Sequence, residues 1–393
     1  CAGNHCCNVV SYLLFCLVSL EAYTRAVSEI FYRIFAYRFD CGNSVLFSDE
    51  ENSHRASFLF CVGYISRQSF CNSDNSNLDS SYGFIQKTNK NIDFNVEKIT
   101  ERRPEYIMSL KHSLSKILPD NLYLKYEFKK VMGRTLELKN PKYYNDKLQW
   151  LKIHDHNPAY IKLVDKYEVK KIISGMIGEE YIIPTLGVWN SYDEIDFNML
   201  PEQFVLKCTH DSGSVIVCRD KKNFDFDKAK EKLSKHLKYN YYWEGREWPY
   251  KSIPHRIIAD QYIEDAETGN LDDYKFFCFN GVVDNIMVVR GRADGTPKFY
   301  HFDKDWNLCR FNRLTRALPE DFHEDKPPFI DEMISIAEKL SKGYIHVRID
   351  LFLANGKIYF GEFTLYNQNG METGFDDYSD SYLGTLIHLP IER

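Results

Sequence analysis

A hairpin can be read almost letter by letter near the end of this 393-residue chain. From Val347 to Phe352 apolar and polar residues alternate as on a half-buried strand, and Lys357 to Thr364 repeats the pattern. Between them lies Ala354-Asn355-Gly356, and Asn-Gly is the strongest short-range hairpin signal because both residues tolerate positive φ. Counted from this turn, Asp350 and Glu362 are expected two residues apart in register, and even spacing keeps a given face of each strand constant. Two carboxylates on neighbouring strands, with Arg348 two residues before one of them, suit a hard divalent cation bound to a phosphate. Alone, the same pattern also fits a ladder of surface charges on an antiparallel pair. The remainder of the chain decides between these readings.

With 44% hydrophobic and 27% charged residues, there is ample core for two ordinary domains or one large composite one. A net charge of -6 argues against a general nucleic-acid binder. Residues 1–107 differ in character from the rest of the chain. Cys1, Cys6, Cys7, Cys16, Cys41, Cys61 and Cys71 fall here, at spacings that fit no disulfide framework, and no Met precedes Met108. The apolar run Val9–Leu20 is shorter than the roughly 20 residues a membrane span needs. It has the length of a signal-peptide core, without the basic stretch before it or a clean small-residue site after it. Residues 71–92, rich in Asn and Ser, read as disordered linker. Met108 opens a plausible natural start. Residues 1–107 are therefore expected to be an atypical extension, either disordered or upstream sequence translated in frame, the alternative being a divergent native segment.

Residues 108–200 read as a helical region. Leu110 to Val131 is helical in pattern with a break at Pro119-Asp120-Asn121. Tyr144, Leu148 and Leu151 form an amphipathic stripe, and a further helix is expected from about Pro158 to Met176, containing Asp165-Lys166. Residues 201–270 begin with the strand Phe204–Lys207, which runs into Cys208-Thr209-His210-Asp211-Ser212-Gly213-Ser214 and resumes at Val215–Cys218. A small polar loop between strands can fold over a ligand, its backbone N–H groups cradling phosphate while a Lys at the strand end supplies a cation. This is no P-loop, since no Gly-Lys-Ser/Thr opens a helix. Residues 241–250, dense in aromatics, suit either packing between lobes or a substrate-facing loop. In residues 271–393, Asp272–Phe279 turns at Asn280-Gly281 into Val282–Arg290. Lys275 alternates with large apolar residues there and is expected in solvent unless a ligand covers that face.

Taken together, residues from about 130 to 393 resemble the TupA-like (teichuronopeptide-synthesis) ATP-grasp family of polysaccharide gene clusters. The resemblance is carried by residues 144–152, Leu163–Tyr167, Gly178–Tyr181, Phe204–His210, Arg246-Glu247-Trp248, Asp273–Phe276, Val347–Asp350 and Tyr359–Glu362, in that order. It implies an α+β ATP-grasp fold, two α+β lobes gripping ATP, preceded by a helical N-terminal part. The first lobe, 201–270, would carry the phosphate flap, and the second, 271–393, the Mg²⁺ site. Lys166 and Lys207 would match the phosphate-contacting lysines, and His210, Ser212, Gly213 and Ser214 the flap. Asp260, Gln261, Tyr262 and Ile263 would match the hinge strand whose backbone reads the adenine edge. Lys275 and Arg348 would face phosphate or substrate, and Asp350, Glu362 and Thr364 would hold Mg²⁺. Two positions depart from the family pattern. Asp211 stands where a Gly is usual, and Thr364 where the wider superfamily has an Asn ligand.

The implied activity is an ATP- and Mg²⁺-dependent ligation of a carboxylate to an amine through an acyl phosphate, on a cell-surface or capsular polysaccharide or its precursor. The partners would be a small-molecule or glycan carboxylate and an amine, with no nucleic acid, no integral membrane segment and a cytoplasmic location. The alternatives are a glycan-phosphorylating enzyme on the same scaffold and a non-catalytic, glycosyltransferase-associated nucleotide-binding module.

Overall fold

The computed structural model describes residues 116–391, apart from 270 and 291–296. The expectations for residues 1–107 lie outside the described residues, and those described fall within the unit His112–Arg393. Four helices come first: α1 (Asp120–Met132), α2 (Tyr144–His154), α3 (Ala159–Val164) and α4 (Glu168–Ile177). The single helix expected from Pro158 to Met176 is thus two. Asp165 leaves the helical region with ψ 116°, and its carboxylate accepts the backbone N–H groups of Tyr167 and Glu168 at 2.9 and 3.3 Å. Arg256 fixes its other oxygen at 2.8 Å, and the Lys166 N–H donates to the Thr209 carbonyl instead of to a helical turn. This break, held by partners remote in sequence, delivers Lys166 to the loop after Phe204–Cys208.

The first sheet contains β1 (Thr185–Trp189), β2 (Phe204–Cys208), β3 (Ile216–Cys218) and β4 (Ile257–Gln261), in the order β1-β4-β2-β3 with every pair antiparallel. Alternation in β2 turns Phe204, Leu206 and Cys208 inward, where Ala229 and Leu233 of α5 (Phe226–Leu237) cover them. The second sheet is larger: β5 (Asp272–Phe279), β6 (Val282–Arg290), β7 (Lys298–Phe302), β8 (Leu308–Cys309), β9 (His346–Ala354) and β10 (Lys357–Thr364). Its order is β10-β9-β5-β6-β7-β8, again antiparallel throughout. Helix α6 (Ile330–Ser341) packs Met333, Ala337 and Leu340 onto it, and α7 (Asp377–Leu386) joins the same core beside α2. Burial of these side chains is the main stabilising term, about 1.5–3 kcal/mol for each large one.

The two Asn-Gly turns form as the sequence predicts. Asn280 and Gly281 have φ of 51° and 82°, and Asn355 and Gly356 have 52° and 68°. Both residues of each pair are left-handed, as a tight type I′ hairpin requires. The register beyond the second turn is a correction to strict counting. Alternation from Ala354↔Lys357 would set Gly361 opposite Asp350, but the ladder shifts between Phe360 and Glu362, and Glu362 pairs directly with Asp350. The irregularity sits on Gly361, where a Cβ would lie 2.8 Å from the Phe352 ring and 3.0 Å from the Asp350 carbonyl oxygen. A larger residue at this bulge would need the ladder or the Phe352 ring to shift.

Candidate active site

Arg348 is the centre of the charged cluster. It shares β9 with Asp350, which faces Glu362 on β10, and its buried guanidinium donates from Nε and Nη2 to the two oxygens of Asp350 at 2.7 and 2.8 Å. Such a forked contact is the strong, directional form of an ion pair. Nη2 also reaches Glu362 Oε1 and Thr364 Oγ1, each at 3.1 Å, and Nη1 donates to Asn367 Oδ1 at 2.6 Å. Burial works against the charged guanidinium, but Asp350 and Glu362 outweigh it and raise its pKa, so Arg348 stays a cation.

Lys275 lies directly across from Asp350 in the β5–β9 ladder. It is not in solvent: it is buried, bonded to Asp273 at 3.0 Å and to Asp350. The covering partner is the neighbouring strand, which a period-two count on β5 alone cannot see. Glu362 is different, with 49% of its side chain open. Enclosure by the cleft walls pushes its carboxyl up, yet Arg348, Lys275, the Thr364 hydroxyl and Lys166 hold it down to about 2. It is an anion at any physiological pH.

Beside this cluster is a cleft of about 820 Å³, part of it open to solvent. Its walls include Lys166, Asp211, Ser212, Arg348, Glu362 and Thr364, so residues from the α3–α4 break, the β2–β3 loop and the β9–β10 hairpin meet around one space. Lys166 Nζ donates to the Asp211 carbonyl; burial lowers its pKa, opposed by Glu362 and Asp211. Lys207 is paired with Asp260 Oδ2 at 2.8 Å, and Lys170 from α4 holds the other Asp260 oxygen. The other expected residues sit elsewhere. The His210 side chain is buried, stacked on His255 at 3.8 Å, and Ser214 donates to Asp211 at 2.6 Å while accepting the Cys208 N–H. Gly213, with φ 91°, has open space where a Cβ would be. In the hinge stretch the Gln261 N–H is already bonded to the Pro184 carbonyl, and Tyr262 donates to Glu264.

The Asp211 carboxylate does not enter the cleft as a free charge. His236 and Ser214 hold it, one on each oxygen. The departure at this position thus fastens the loop to the end of α5.

The donors Glu362, Thr364 and Asp350 are all oxygen, which suits Mg²⁺. Glu362 and Thr364 face the cleft, whereas Asp350 is committed to Arg348 and Lys275 and would ligate only by exchanging one of them. Among the described residues no cluster of three His, Cys, Asp or Glu stands ready to hold a metal. The set therefore fits a cation shared with phosphate oxygens rather than one caged by protein alone.

Sequence reasoning assigned no role to Glu247 and Lys152. Both are buried, and Glu247 lines the cleft with Tyr241 and Tyr250. Burial raises the Glu247 pKa and lowers that of Lys152, each opposing the other's shift. Lys152 donates to the carbonyls of Gly245 and Asn369, at 2.8 and 2.5 Å. The aromatic density of 241–250 was the available signal.

A family model described as TupA-like ATPgrasp matches residues 146–388. No curated protein matches the chain. Among solved structures, D-alanine-D-alanine ligase from Helicobacter pylori is 15% identical, covering 62% of this chain and 69% of that one, with a TM-score of 0.33. The ligase of the same name from Bacillus anthracis, complexed with ATP, is 16% identical over 57% of this chain and 63% of that one, with a TM-score of 0.33. D-cycloserine synthetase DcsG is 17% identical over 58% and 70%, with a TM-score of 0.31. The chain thus spans only about two thirds of these neighbours, and with scores this low the assignment stands on the family match.

Proposed function

This chain belongs to the TupA-like ATP-grasp family, and we propose that it is an ATP- and Mg²⁺-dependent ligase joining a carboxylate to an amine in the making of a cell-surface polysaccharide. The observation that supports this most is the meeting of Lys166, Ser212, Arg348, Glu362 and Thr364 around a single cleft. In the proposed reaction a substrate carboxylate oxygen attacks the γ-phosphorus and ADP leaves. The amine, once its ammonium form has given up a proton, attacks the acyl carbon through nitrogen, phosphate departs, and loss of one further proton from that nitrogen leaves the amide.

Each residue has a share in this scheme. Lys166 and Arg348 offset phosphate charge, with Lys207 joining them if nucleotide draws it from Asp260. Main-chain N–H groups around Ser212 and Gly213 cradle phosphate oxygens, and the hinge from Asp260 to Ile263 receives the base. Glu362 and Thr364, with Asp350, would hold Mg²⁺, which when bound neutralises charge between the terminal phosphates. Losing one such electrostatic contact typically costs about 10²–10³ in rate. No described helix is long and apolar enough to cross a membrane.

Hydroxylamine trapping tests the reaction class. The protein is incubated with ATP, Mg²⁺, hydroxylamine and a panel of carboxylates, including uronic acids and amino acids. A carboxylate-dependent hydroxamate is the expected product, because an acyl phosphate yields one and a phosphate ester does not. ADP release on glycan hydroxyls, with no hydroxamate from any carboxylate, would replace the ligase with a glycan kinase.

A further inference from the structure

The cleft lining is chemically mixed. Lys166 and Arg348 supply cations, and Glu247, Tyr241 and Tyr250 supply a carboxyl group and two aromatic rings. Glu247 is 8% exposed, yet its carboxylate makes no hydrogen bond or ion-pair contact among the described residues. Its oxygens are not among the fully buried unpartnered atoms of the described residues, so they open on the cleft that Glu247 lines. Lys152 favours its ionised form through space without a hydrogen bond to it, two of the three ammonium N–H groups going to the carbonyls of Gly245 and Asn369. The Glu247 oxygens are therefore left for something that enters the cleft.

The chemistry around that unpartnered acceptor selects a cation. A second positive charge beside the carboxyl group would favour its ionised form, as Lys152 does. Tyrosine ring faces attract cations as well, and of the cations that a single carboxylate can bind, an amine is the one that an amide-forming ligase consumes. We propose that Glu247, framed by Tyr241 and Tyr250, is the recognition point for a primary ammonium, the amine partner of the ligation. The assignment rests on the ligase reading above. Glu247 binds and places this group, while Lys152 positions the Glu247 segment through its two carbonyl bonds.

Alaninamide and lactamide differ only in an ammonium against a hydroxyl, and neither carries a carboxylate. Their binding to the full chain is measured at pH 7 by thermal stabilisation and by calorimetry. Alaninamide should bind and lactamide should not, and Glu247→Gln should weaken alaninamide by about tenfold or more, the loss of a charge-assisted contact. Equal binding of the two probes, no binding of either, or unchanged alaninamide affinity in Glu247→Gln would overturn the proposal. Should that variant fail to fold, the comparison of probes on the wild-type protein decides. Stabilisation of the wild-type protein by ATP with Mg²⁺, read in the same series, separates the two failures. If it is present without an alaninamide preference, only the ammonium site is wrong; if it is absent, the ligase reading has failed as well.

Discussion

Asp350 holds the charged cluster together, since Arg348 and Lys275 both terminate on it. Removing one partner of a buried ion pair is far more costly than the pair is worth, because the other charge stays buried. Asp350→Asn should therefore destabilise the protein by about 3 kcal/mol, the low end of the usual 3–5, since Arg348 keeps Glu362 and Lys275 keeps Asp273. A denaturation midpoint equal to that of the wild type would show that the cluster is not structural. His301 and His346 make a second prediction at this scale. Burial holds both neutral, with pKa values lowered to about 3. A depressed histidine contributes fully above its unfolded value near 6.5, and the contribution is lost as pH falls towards 3, because the unfolded chain takes up the proton first. Stability should fall by about 1.4 kcal/mol per pH unit for each of them between pH 6.5 and 4. In His301→Gln that slope should shrink by one histidine's share; an unchanged slope would mean that His301 is protonated in the folded protein.

At the scale of elements, the β9–β10 hairpin sets the site through its bulge. Gly361→Ala would drive a methyl group against Phe352 and the Asp350 carbonyl, so either the ladder shifts or the ring moves. Overpacking of this kind costs about 1–3 kcal/mol, and because Glu362 is the next residue, Mg²⁺-dependent nucleotide binding should weaken with it. Retained stability and retained nucleotide affinity in this variant would show that the bulge is incidental. The same hairpin shows what was legible. Its turn and strands follow from Asn355-Gly356 and from alternation, but a period-two count has no means of finding an inserted residue. The helix break at Asp165 was likewise hidden, since its causes, Arg256 and the Thr209 carbonyl, are distant in sequence. Lys275 was misread because burial by an adjacent strand depends on the β5–β9 pairing. Glu247 and Lys152 both lie in blocks that carry the family resemblance, but nothing local pairs them; only folding brings the two to one place.

For the molecule as a whole, two antiparallel sheets with separate cores contribute to a single cleft, and the central claim is that this cleft takes Mg²⁺ and ATP together. The order of motifs along the chain was enough to suggest the family, because each block is local and their sequence is what the fold connects. The ion-pair network was not, because it depends on side-chain geometry across three strands. Nucleotide-dependent thermal stabilisation of the full chain tests the claim directly, with ATP and Mg²⁺ together and each alone. A ligand at 100 times its Kd adds about 2.7 kcal/mol, a shift of several degrees. The predicted result is a shift that requires both and is lost in Glu362→Gln; a well-folded protein that shows no shift with ATP and Mg²⁺ together would contradict it.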